Sequence, residues 1–381
     1  MLLIRHPKKL ISLAVLIGAA FYMFWPGFTP DFSNPPSLYL HHTKSYGTNT
    51  GAGNVIGIEP YMEPLDYATP DRFKQKLTGY FDAAMENGWI GADTIILLPE
   101  HLGTWLMATR QKSRVYNAST TVDAMVPIIA GNLAAFAKNY YIFDNADMSS
   151  ASVIRMQTQH TADAVFKVYS ALAKKYGVTI VAGSQALMTP GIYPDALSYG
   201  HGPIFNSSFV FGPDGKPQID AIRKVHPIPS ETGFTDASNA EFLPVFKTAN
   251  RTIGVLVCAD SWFDDTTASL VSQGADLLLV PSFLEGTPWD APWQGYLNDV
   301  PGVDNWQKDI GQISEGDAWV KHALPARAKK HGIRWGMNVF LKGNLWGMKG
   351  YGHAIILENG TTHVGASDHT GAAIYNLWLN L

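Results

Sequence analysis

From residue 54 onward, short apolar runs alternate with amphipathic stretches, and few folds accommodate that alternation. "NVIGIEPYM" (54–62) and "ADTIILLPE" (92–100) read as buried strands. Between them, "DRFKQKLTGYFDAAMENG" (71–88) places apolar residues at helical spacing and stops at Gly88. The same rhythm continues. "ADAVFKVYSALAKKYG" reads as a helix closing at Gly177, "VTIVAGSQAL" (178–187) as a strand, and "TIGVLVCAD" as another strand. "DDTTASLVSQG" reads as a helix, "ADLLLVPS" as a buried strand, and "DAWVKHALPARAKKHG" as a further helix. "IRWGMNVFLKG" and "GHAIILENGTTHVG" supply the last strands, and Pro213-Asp214-Gly215 marks a hairpin turn. Strands that are apolar throughout, rather than at every second residue, are covered on both faces. The pattern therefore predicts an α/β sheet protein, as one domain over residues 54–381. Two excursions, 101–160 and 285–317, break the rhythm and are expected to shape access to a site.

The N-terminus has a different character. Arg5, Lys8 and Lys9 lie in a basic flank (1–9), followed by the uncharged run "LISLAVLIGAAFYMFW" (10–25) and Pro26. At 1.5 Å per residue such a run spans about 24 Å, a little less than a hydrocarbon core of about 30 Å. Phe21, Tyr22, Phe24 and Trp25 resemble an interfacial aromatic belt. We read an uncleaved, single-pass signal anchor with the rest of the chain outside the cytoplasm. A signal peptide cleaved near Gly18-Ala19-Ala20, which would give a secreted protein, is the alternative, and a buried helix is the bland one. Residues 26–53, rich in Pro, Gly, Ser and Thr, read as a linker or arm.

The totals exclude several functions. A net charge of −4 gives no electrostatic footprint for nucleic acid. One cysteine rules out an intrachain disulfide framework and a Cys-based zinc site. The histidines lack metal-ligand spacing, so neither metal nor cofactor is expected. "GPDGK" is a hairpin turn, and "GAGNVIG" precedes a strand instead of following one, so neither reads as a phosphate loop.

Three polar residues close or follow otherwise apolar runs: Glu100 in "TIILLPE", Lys224 in "IRKVHPIPSE" and Cys258 in "IGVLVC". Groups at the carboxyl ends of strands meet in the functional crevice of an α/β sheet. A thiol, a carboxylate and an ammonium brought together there can perform acyl transfer. A lone cysteine is otherwise most simply a small buried hydrophobe, and Glu100 and Lys224 taken singly are ordinary surface charges.

The blocks "ADTIILLPE", "FNSSFVFGPDGKPQIDAIRKVHPIPSE" and "IGVLVCADSWFDDTTASLVSQGADLLLVPS" resemble, in that order, the three signature blocks of the nitrilase superfamily, the carbon–nitrogen hydrolases. "ALPARAKKHGIRWGMN" with "GHAIILENG" is similar to that family's C-terminal part. The resemblance covers roughly residues 54–366. It implies a four-layer α-β-β-α sandwich, a Glu100–Lys224–Cys258 triad and an amidase-type activity on a small-molecule or lipid amide. It also implies a helper carboxylate at Glu231, an oxyanion contact from the Ala259 N–H, and substrate or packing roles for Trp262 and Phe263. Family members commonly dimerise near the active site, and an anchor and long excursions would obstruct that surface. Departures are visible: Ala259-Asp260 follows the cysteine, and the stretch between the Glu and Lys blocks is long. Two other readings share the resemblance. One is transfer of the acyl group to an amine, as in the apolipoprotein N-acyltransferase branch, and the other is a silent binding protein. Unperturbed Cys and Glu pKa values differ by about 4 units, so moving the thiol proton to Glu100 costs about 5–6 kcal/mol unless neighbours help.

Overall fold

Adjacent residues of one strand point to opposite faces, and in the strand Asn54–Glu59 they reach different cores. Val55 joins the apolar layer between two sheets, whereas Ile56 and Ile58 pack beneath helices. The computed structural model describes Gly18 and residues 30–295, 306–366 and 368–380. Its two six-stranded sheets repeat this division. The first runs in the order Leu40–Tyr46, Ala372–Trp378, Asn54–Glu59, Thr94–Leu97, Thr179–Val181, Val210–Phe211. The second runs Val245–Lys247, Thr252–Val255, Leu277–Ser282, Trp335–Phe340, Ile355–Glu358, Thr361–Val364.

Val55, Ile95, Leu97 and Val181 of the first sheet meet Ile253, Val255, Leu277, Leu279, Met337 and Val339 of the second. At Gly57 the sheets come so close that a Cβ would strike Met337 and Val339. Helices Pro70–Glu86 and Met148–Tyr176 cover the outer face of the first sheet. Asp264–Ser272, Glu315–His322 and Leu324–Lys330 cover the second. The predicted four-layer α-β-β-α sandwich is the observed architecture.

Several elements differ from the sequence reading. Residues 26–53 are not only a linker. Leu40–Tyr46 forms an edge strand parallel to Ala372–Trp378, pairing Tyr46 with Leu377. Its half-exposed "LHHTKSY" has no continuous apolar run to betray it. The chain's last strand, Ala372–Trp378, lies inside the first sheet. The run 178–187 is two strands. Gly183, at φ +63° and tight against the Pro99 carbonyl, turns the chain from Thr179–Val181 into Gln185–Ile192 of a separate sheet.

The helix closing at Gly177 starts at Met148, where Asp147 accepts the Ser150 N–H at 3.0 Å as its N-cap. The helix expected over 317–332 is two, broken at Ala323 ahead of Pro325. Among the described residues no helix is long and apolar enough to cross a membrane. The segment 10–25, apart from Gly18, lies outside them.

Candidate active site

Beyond one strand of each six-stranded sheet the chain turns sharply. Beyond the strand Thr252–Val255, Cys258 opens a short helical turn, Cys258–Trp262, at φ +52°. Beyond Thr94–Leu97, His101 follows Glu100 at φ +57°. Neither is a glycine, so both hold a left-handed backbone that costs about 1–3 kcal/mol and persists where the surroundings enforce it. Lys224, just after Ile222–Arg223, is tied by its N–H to the Asn206 carbonyl at 2.8 Å.

These turns bring Glu100, Lys224, Glu231 and Cys258 to one buried site. The Lys224 ammonium donates to Glu100 Oε1 at 2.8 Å and to Glu231 Oε2 at 2.5 Å. Asn206 Nδ2 also bridges the carboxylates, at 2.9 Å from Glu100 Oε1 and 2.8 Å from Glu231 Oε1. The second Glu100 oxygen accepts the Phe283 N–H at 3.0 Å. Glu231 further accepts the Ile228 N–H at 3.0 Å and lies 3.0 Å from His101 Nε2, whose Nδ1 is 2.9 Å from Thr104 Oγ1.

The carbon–nitrogen hydrolase profile matches residues 68–305, more than half of the chain. The chain belongs to the carbon–nitrogen hydrolase family. A cysteine variant of the amidase from Nesterenkonia AN1, of the nitrilase superfamily, shares the fold at a TM-score of 0.52 and 15% identity, covering 86% of this chain and 92% of that one. Omega-amidase NIT2 of Danio rerio is 28% identical over 189 residues, 48% of this chain and 59% of that protein. N-carbamoylputrescine amidase of Arabidopsis thaliana is 30% identical over 143 residues, 36% of this chain and 40% of that protein. The matched region thus falls short of the full length of these curated relatives.

In this member of the carbon–nitrogen hydrolase family the charges control one another. Burial would depress the Lys224 ammonium, but Glu100 and Glu231 outweigh it and hold it well above its ordinary value. Burial would lift Glu231, yet Lys224 and His101 keep it well below the carboxylate range. The Cys258 thiol is pushed well above its ordinary value, first by burial and then by Glu100, against the pull of Lys224 and the Phe283 N–H. The resting sulfur is therefore a thiol.

Glu100, His101 and Glu231 present ligand atoms within 4.8 Å of one another, a spacing compatible with a cation. The Lys224 ammonium bonded to both carboxylates already supplies the positive charge there.

Cys258 lines a cavity of about 580 Å³, within the size range of small-molecule sites. Trp105, Met107, Met125 and Ile154 from the first excursion and Trp293, Gln294 and Glu315 from the second form much of its wall. Both excursions thus contribute described residues to the cavity lining.

Ala259 is fully buried at the start of the turn, where helical geometry leaves N–H groups without intrahelical acceptors. Trp262 and Phe263, expected as substrate or packing residues, are not among the lining residues. Trp262 packs under the wall against Trp293 and Trp319, and Phe263 stacks on His226 with ring centroids 3.7 Å apart.

Three residues of the site escaped sequence reasoning: His101, Asn206 and Asp260. The Asp260 carboxylate accepts the Val225 and His226 N–H groups at 3.0 and 2.8 Å, fixing the chain next to Lys224. Burial lifts its pKa to about 7 against the pull of the His226 N–H.

Proposed function

We propose that this chain is an amidase that cleaves the C–N bond of an amide through a thioester on Cys258. The observation carrying this reading is the Lys224 ammonium clamped between Glu100 and Glu231 beside a buried thiol that faces a cavity. Glu100 takes the proton from Cys258 as the sulfur attacks the amide carbon. The Lys224 ammonium and the Ala259 N–H stabilise the oxygen that becomes negative. Collapse breaks the C–N bond, and Glu100 passes the proton to the leaving nitrogen. Glu100 then takes a proton from water as the water oxygen attacks the thioester, and that proton returns to the sulfur as the acid departs. Glu231 and Asn206 position Lys224 and Glu100. In this reading the domain sits outside the cytoplasm on an anchor formed by residues 10–25, which rests on the sequence of that segment.

The cavity wall bears on the choice of amide. Glu285 and Glu315 line it, and among the described residues no Lys or Arg does. A substrate carboxylate placed beside Glu285 or Glu315 would meet like charge, at a cost of several kcal/mol. The substrate is therefore a neutral or cationic amide. The named activities of the relatives, an omega-amidase and an N-carbamoylputrescine amidase, support the amide class.

The test is ammonia release from butyramide beside intact-protein mass measurement, in the native chain and in Cys258→Ala. An acyl adduct and ammonia release, both lost in the variant, are expected. Undiminished ammonia release by Cys258→Ala would refute the assignment.

A further inference from the structure

We propose that the helices Thr121–Gly131 and Leu133–Ile142 form a membrane-docking face that seats the mouth of the cavity against a phospholipid surface with anionic headgroups. A surface helix of a globular protein normally turns its apolar stripe inward and its polar residues to water. This pair departs from that rule. Ala124 and Ile128 are buried inward, with Phe136 packed partly against the core. The outward positions nevertheless carry Val122, Val126, Leu133, Tyr140, Tyr141 and Ile142, with Val126 at 56% and Tyr141 at 86% exposure. Exposed apolar side chains grouped on two successive helices point to a site of association.

Three observations identify a bilayer as the occupant. The first is charge. Over residues 109–147 the chain carries Arg110, Lys112, Arg114 and Lys138 against Asp123, Asp144 and Asp147, a small positive balance in a protein whose net charge is −4. Basic residues beside an apolar helical face are the signature of interfacial helices on anionic lipid. The second is composition, because Tyr140 and Tyr141 are amphipathic rings suited to the headgroup level. The third is chain context. The uncharged run Leu10–Trp25 has the composition of a membrane segment and belongs to the same polypeptide. Thr121 and Met125 of the first helix line the Cys258 cavity, so docking this face brings the cavity mouth to the lipid. The proposal does not depend on turnover and stands apart from the amidase reading.

The test uses the full chain in a Cys258→Ala background, where an introduced cysteine is the single thiol. An environment-sensitive fluorophore is placed at Val126→Cys, at Tyr141→Cys, or at Ser272→Cys on the helical layer over the other sheet. Each protein is reconstituted into phosphatidylcholine–phosphatidylglycerol vesicles containing nitroxide lipids that quench about 5–10 Å below the surface, where interfacial helices lie. Quenching of about twofold at 126 and 141, with none at 272, is expected for interfacial burial. Three results would overturn the proposal. One is no quenching at 126 and 141. Another is equal quenching in phosphatidylcholine alone, which would remove the anionic assignment. The third is a lipid-independent emission shift that grows with protein concentration, which would make the face a contact between two copies. Amide hydrolysis by the native chain is measured separately, so loss of one reading leaves the other intact.

Discussion

Replacing Lys224 by methionine removes the cation that two buried carboxylates share, and the structure sets the size and the pH dependence of the consequence. In the native protein the ammonium lies 2.8 Å from Glu100 and 2.5 Å from Glu231, all three side chains being buried. Removing one partner of a buried ion pair costs about 3–5 kcal/mol when the charge left behind stays ionised. In Lys224→Met one carboxyl escapes that cost by holding a proton, so its folded pKa rises above the ordinary Glu value of about 4.3. A group with a raised folded pKa adds stability below its unfolded pKa and loses it as pH climbs to the folded one. Each pH unit in that window is worth about 1.4 kcal/mol. A total of about 3–5 kcal/mol is then spread over about 2–4 units, so the loss starts near pH 4.3 and levels off between about pH 6.5 and 8. Native Glu231, held well below the carboxylate range, contributes no such slope in this window. The assay is urea denaturation of native and variant proteins at intervals from pH 4.5 to 8.5, with amide hydrolysis measured alongside. Activity should fall by about 10³-fold or more, as expected when a charge that stabilises the oxyanion is lost. A stability difference independent of pH, or activity within tenfold of native, would refute the shared-cation account.

Two further substitutions probe the supports of the site. Asp260→Ala strands two backbone N–H groups next to Lys224 and should cost about 1–3 kcal/mol in denaturation midpoints. It should also lower kcat more than it raises KM, since Lys224 shifts without touching the cavity wall, and an unchanged kcat would remove Asp260 from the positioning of Lys224. Gly57→Ala places a methyl group against Met337 and Val339 between the sheets and should destabilise by about 1–3 kcal/mol with the remaining activity of the folded fraction unaltered. A neutral effect on the unfolding midpoint would mean the sheets separate there more easily than their packing implies.

How much of this was legible depends on where each residue sits relative to an apolar run. Glu100, Lys224 and Cys258 stand at or next to the ends of such runs, but the strands they follow belong to three different sheets, so their meeting was legible through the three signature blocks and not from strand ends alone. Glu231 was legible through its place seven residues after Lys224 in a block of familiar form. Asn206 was hidden because it lies in the strand Leu197–Ser208, where a polar residue of the site looks like its polar neighbours Ser207 and Ser208. His101 comes into reach of Glu231 only because the backbone turns left-handed after Glu100, and the sequence carries no glycine to announce that turn. The same limit explains Trp262 and Phe263. Their distance in sequence from Cys258 is short, but the direction of each side chain is set by the helical turn that begins at Cys258 itself. Continuous burial identifies central strands, whereas an edge strand such as Leu40–Tyr46 needs its partner, Ala372–Trp378, to exist at all.

The charge count of the site links its resting state to its substrate. One ammonium faces two carboxylates, and His101 lies beside one of them. A thiolate formed before substrate arrives would add a second uncompensated negative charge in a buried site, which is why burial and Glu100 together keep Cys258 protonated. Proton loss is therefore tied to attack, since the negative charge that leaves the sulfur appears on the substrate oxygen, within the field of Lys224. The same imbalance extends outward through Glu285 and Glu315 on the cavity wall. Adding a cation there, as in Glu315→Lys, should relieve the bias. It should raise hydrolysis of an amide bearing a distal carboxylate, relative to butyramide, by about 10-fold or more. An unchanged ratio would mean that the wall does not read substrate charge.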